Sequence, residues 1–65
     1  MRKEVISFVN NEVKKNIERV KANGEHLVGT KLSDELFWFA YDVVDALEAE
    51  GYKATVDYDT IWVRC

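Results

Sequence analysis

From Ser33 to Gly51 the chain reads SDELFWFAYDVVDALEAEG, and its apolar positions recur at helical spacing. Set out at about 100° per residue, Leu36, Ala40, Val43 and Leu47 form one stripe flanked by Phe37, Phe39, Val44 and Ala46. That stripe is the expected core face. The opposite face collects Asp34, Asp42, Asp45 and Glu48, with the large aromatics Trp38 and Tyr41 between the carboxylates. Ser33 suits an N-cap because its hydroxyl can accept from a free amide of the first turn, and Asp34 and Glu35 favour the positive end of the helix dipole. Gly51 supplies a left-handed stop. The pattern predicts one helix between these marks.

Upstream, from Arg2 to about Ala22, Ile6, Val9, Val13, Ile17 and Val20 predict a second amphipathic helix. Lys14, Lys15, Arg19 and Lys21 populate its outer side, Asn23-Gly24 ends it, and Phe8 falls outside the stripe. In His26 to Leu32, HLVGTKL, the alternation of Val28, Thr30 and Leu32 with Leu27, Gly29 and Lys31 suits a short edge strand, with a loop as the alternative. Gly29 at its centre marks a bulge or a close backbone approach.

The C-terminal segment alternates on both sides of Tyr58-Asp59, as a β-hairpin would. Its register pairs Val56 with Ile61, Ala54 with Val63 and Tyr52 with Cys65, giving an apolar face toward the helices. Lys53, Thr55, Asp57, Thr60, Trp62 and Arg64 take the outer face. Tyr-Asp lacks the residues that two-residue primed turns favour, which points to a wider loop. A lone hairpin is not independently stable, so it must pack on the helices or gain a strand from 26–32 or from another subunit. The expected fold is α+β: two amphipathic helices on a C-terminal β-hairpin, with a short third strand possible at about 26–32, in the order α-(β)-α-β-β.

Length then changes the picture. At 65 residues with no proline and three glycines, the chain is one small domain without a linker or repeat. Such a domain is marginally stable alone, and its single Cys65 and single His26 exclude an intrachain disulfide and a four-ligand zinc site built from Cys and His. Oligomerisation is the remaining device, so a homodimer is expected. Hydrophobic content of 48% argues against disorder, and no apolar run approaches the ~20 residues that span a bilayer. The lone thiol and the charged N-terminal stretch suit a soluble protein of the reducing cytoplasm rather than a secreted or membrane one.

The net charge of −3 hides an asymmetry: residues 1–32 carry seven Lys/Arg against four Asp/Glu, residues 33–65 two against eight. Segregation of this kind can hold two halves together or guide pairing of two copies. No catalytic signature accompanies it. Asp34, Asp42 and Asp45 share a helix face but lack the glycine-containing loop of a calcium site. Neither Ser7 nor Ser33 belongs to a motif that would activate it, nothing near Cys65 in sequence would make it reactive, and no glycine-rich phosphate cradle occurs. The expectation is a protein that is not an enzyme and uses no metal or other cofactor.

Nucleic-acid binding is disfavoured, because the helix before the hairpin is acidic and Glu4, Glu12 and Glu18 interrupt the basic first helix. A dimer that aligns two first helices into a basic surface is the remaining route to a DNA-binding regulator, and the leading expectation is a protein partner, self or other. Both tryptophans fall off the expected core faces, and large aromatics concentrate at interface centres. Trp38, Tyr41, Asp34, Asp42, Asp45 and Trp62 are therefore the candidate contact residues. The alternative is an acidic inhibitor of the phage or mobile-element type, with Asp34, Asp42, Asp45, Glu48, Asp57 and Asp59 imitating phosphates in a basic groove.

Overall fold

A computed structural model describes residues 2–65. A helical rod runs through α1 (Lys3–Phe8), a π turn (Val9–Val13) and α2 (Lys14–Ala22), and β1 (Leu27–Lys31) follows. Then come α3 (Asp34–Phe37), α4 (Ala40–Ala49), β2 (Lys53–Asp57) and β3 (Thr60–Arg64). The three strands form one antiparallel sheet in the order β1-β3-β2, with the helices on one of its faces. The fold is α+β, and the third strand exists.

Inside the rod, the buried residues are Val5, Val9, Val13 and Ile17, each four positions after the last. In a regular α-helix a four-residue step drifts by about 40°, so three steps would turn the stripe through about 120°. The wider π turn at Val9–Val13 takes up that drift and keeps the four side chains on one face. The expected stripe began at Ile6, which is instead 45% exposed while Val5 is fully buried. A constant 100° step could not anticipate the exchange. Phe8, outside the stripe, packs half-buried against the core.

The segment from Ser33 to Gly51 buries the expected Leu36, Ala40, Val43 and Leu47, but as two helices rather than one. Ser33 Oγ accepts from the Leu36 amide at 3.3 Å, and Gly51 adopts φ 93° at the far end. Between them Phe39 leaves helical geometry at φ −119°, ψ 26°. The break separates three consecutive aromatics that a single apolar stripe could not bury. Phe37 turns toward Tyr58, Phe39 lies under the guanidinium of Arg2 at 4.1 Å, and Trp38 points to solvent.

The hairpin register is as the alternation predicts for Val56 with Ile61 and Ala54 with Val63, whereas Tyr52 and Cys65 lie just beyond the paired residues. Its loop is only two residues, Tyr58 and Asp59, with Tyr58 at φ 55°. The Asp59 carbonyl accepts from the Leu32 amide at 2.7 Å, which ties the loop to the end of β1. Val28, Ile61 and Val63 join the helical residues in the core. The buried hydroxyl of Thr30 accepts from Asn16 Nδ2 at 2.9 Å, joining rod and sheet without an orphaned polar atom. An ion pair of 2.6 Å between Lys14 and Glu50 sets a cation beside the C-terminus of α4, where the dipole favours it. Gly29 allows a close approach: the Trp62 ring lies across it on the open face of the sheet.

Candidate interaction surface

Because α3 ends before Trp38 and α4 starts after Phe39, Trp38 stands out from the surface with 80% of its area exposed. Its ring meets Phe37 edge-on at 5.5 Å, and Phe37 meets Tyr58 edge-on at 5.4 Å. Edge-to-face pairs of this kind hold rings in place. Tyr41, the second residue of α4, and Tyr58 are 74% and 78% exposed. Phe37, Trp38, Tyr41, Val56 and Tyr58 surround an open hollow of about 280 Å³. Trp38 and Tyr41 are thus brought together, and Tyr58 joins them from the other end of the sequence.

From its place in the sequence Tyr58 is only a turn residue. The signal was there: a bulky side chain in a two-residue loop where glycine or asparagine is favoured. Among non-glycine residues described, it is the single one with positive φ. A left-handed backbone costs a residue with a Cβ about 1–2 kcal/mol.

Asp34 lines a second hollow of about 310 Å³ with Phe37, Trp38, Tyr58 and Asp59, adjoining the aromatic group. Asp42, Asp45 and Glu48 lie exposed on α4. Among the described residues, none of these four carboxylates has an ion-pair partner, and no group of three or more His, Cys, Asp or Glu converges as metal ligands would. Trp62 does not belong to this surface. It lies on the open face of the sheet, 38% exposed, beside a shallow hollow with Leu27, Lys53, Thr55 and Arg64.

An open groove of about 800 Å³ lies between the N-terminal rod and residues 31–36. Ser7 lines it, and its hydroxyl accepts from Asn11 Nδ2 at 3.1 Å. His26 is exposed, and its backbone carbonyl accepts from the Cys65 amide. No helix among the described residues is long and apolar enough to cross a membrane. Compared with protein-family models, with curated proteins and with solved structures, the chain finds no match.

Proposed function

We propose that this is a small, non-enzymatic protein–protein interaction domain whose contact surface is the group of Trp38, Tyr41 and Tyr58, flanked by Asp34, Asp42 and Asp45. The observation that carries this reading is Tyr58, exposed and held in a backbone conformation that penalises it. A hairpin loop selected for stability alone would place glycine or asparagine there. Strain kept under a large exposed aromatic points to a contact made by that side chain.

Two substitutions test the reading. Tyr58→Gly removes a backbone penalty of about 1–2 kcal/mol and an edge-to-face pair worth about 0.5–1.5 kcal/mol, so stability should change by no more than about 1.5 kcal/mol. Association, measured by sedimentation or by titration against a partner, should weaken. Trp38→Ala should act likewise, since the side chain is four-fifths exposed. Unfolding of either variant, or full retention of association in both, would remove the basis of the proposal.

A second reading draws on the carboxylates of Asp34, Asp42, Asp45 and Glu48, which have no ion-pair partner among the described residues. Such a surface suits a basic groove on another protein, as an acidic inhibitor would use. Capture should then fall steeply with salt and with Asp42→Asn/Asp45→Asn. Salt-insensitive capture would exclude it.

A further inference from the structure

The outer edge of β2 has no strand neighbour among the described residues, and its sequence, Lys53-Ala54-Thr55-Val56-Asp57, complements itself when reversed. We infer that this edge pairs antiparallel with β2 of a second copy, joining two sheets into one of six strands about a two-fold axis through Thr55. The inference rests on the proposed role of the aromatic surface, because Tyr41 and Tyr58 share a hollow with Val56 beside this edge.

Hydrogen-bond parity fixes the register. On the β3 side, the amide of Cys65 donates to His26 and the carbonyl of Asp59 accepts from Leu32, so odd-numbered groups there face β1. Even-numbered ones face β2. The pairs Asp57 with Thr60, Thr55 with Trp62 and Lys53 with Arg64 are therefore the hydrogen-bonded ones, and the backbone groups of Ala54 and Val56 point to the free edge. Antiparallel self-pairing has to match those outward groups. Ala54 opposite Val56 of the second copy, and the reverse, does so with Thr55 facing Thr55 at a non-hydrogen-bonded position. Of the registers that satisfy parity, this one pairs all five residues of the strand.

Charge supplies the second argument. Within one chain Lys53 lies directly across from Arg64, a like-charge pair that the sheet gains nothing from, and Lys53 has no ion-pair partner among the described residues. In the inferred register Asp57 of the second copy lies opposite Lys53, and Lys53 of the second copy opposite Asp57. The two-fold symmetry gives the lysine of each copy an opposite charge at once. On the helix side Ala54 and Val56, only half-buried in one chain, cover one another's counterparts across the junction. The β1 edge, Leu27-Val28-Gly29-Thr30-Lys31, offers no such match, since self-pairing sets Lys31 against Leu27. An edge lysine also serves to keep a strand unpaired, and that is the outcome the test opposes.

The experiment is sedimentation equilibrium of the full chain carrying Cys65→Ser, over a range of concentrations, with charge variants beside it. A dimer is expected. Lys53→Asp, which gains Arg64 as a neighbour within its own chain and so should fold at least as well, is expected to weaken dimerisation about tenfold. Asp57→Lys should do the same, and Lys53→Asp/Asp57→Lys together should restore it. Thr55→Cys should oxidise to a disulfide-linked dimer, since Cα atoms at a non-hydrogen-bonded pair stand about 4.5 Å apart. A monomer at every concentration overturns the inference, and so does a dimer indifferent to the charge exchange. In the latter case loss of the dimer on Trp38→Ala would leave the aromatic contact standing by another geometry, whereas a dimer unaffected by Trp38→Ala would place self-association on neither the β2 edge nor Trp38.

Discussion

A methyl group added at Gly29 would lie 2.8, 2.9 and 3.0 Å from three carbons of the Trp62 ring, where ordinary contacts are about 3.5–4.0 Å. The ring must lift from β1 by most of an ångström. Trp62 is 38% exposed, so about 60% of a side chain of roughly 250 Å² is covered, near 150 Å². Losing a third of that cover costs about 1 kcal/mol at ~25 cal/mol/Å², and the displaced contacts add roughly another 1 kcal/mol. Alanine in place of glycine returns about 0.5–1 kcal/mol by restricting the unfolded chain. Gly29→Ala should therefore destabilise the protein by about 1–1.5 kcal/mol, a fall in Tm of roughly 5–10 °C for a domain of this size. Thermal and urea unfolding by circular dichroism measure it. In a Trp62→Ala background the sign should reverse, because the clash is gone and only the unfolded-state gain remains. With Trp38→Phe leaving Trp62 as the only indole, Gly29→Ala should also shift its emission to the red. Equal effects of Gly29→Ala in the two backgrounds would refute the reasoning.

Leu47→Ala, at a fully buried position of α4, should cost about 2–5 kcal/mol and leave a domain this small largely unfolded at 37 °C, read by urea titration. Lys14→Ala removes a half-exposed ion pair with Glu50, and a loss of no more than about 1 kcal/mol, fading in high salt, is expected from the same titration. Ser33→Ala deletes the N-cap of α3 and should cost about 1 kcal/mol, while Ser33→Asp should retain most of it. A cost below about 0.3 kcal/mol would mean that the cap adds nothing beyond solvent.

The candidate surface was partly legible in the residues. Trp38 and Tyr41 fall on the acidic side of a helical wheel, and both are exposed, Tyr41 on α4 and Trp38 at the break between α3 and α4. Tyr58 is seventeen positions beyond Tyr41 in the sequence, and no helical or strand period connects them. Only the folding of the hairpin onto α3 and α4 makes them neighbours. Trp62 was grouped with Trp38 because both lie off the core faces, yet the two-layer arrangement puts it on the open side of the sheet.

Periodicity by itself determined the elements and most of the core. Alternation around Tyr58-Asp59 set the hairpin register, since a slip of one residue would turn Val56, Ile61 and Val63 to solvent. The cap at Ser33 and the stop at Gly51 followed from local hydrogen bonding and backbone freedom. Tertiary structure decided the rest. The π turn that brings Val5 inward in place of Ile6, the break that sends Phe37, Trp38 and Phe39 in three directions, and the placing of β3 between β1 and β2 all answer to packing against distant residues. A local pattern records which side of an element is apolar; it carries no information about what that side will meet, and the meeting fixes helix pitch, helix ends and strand order.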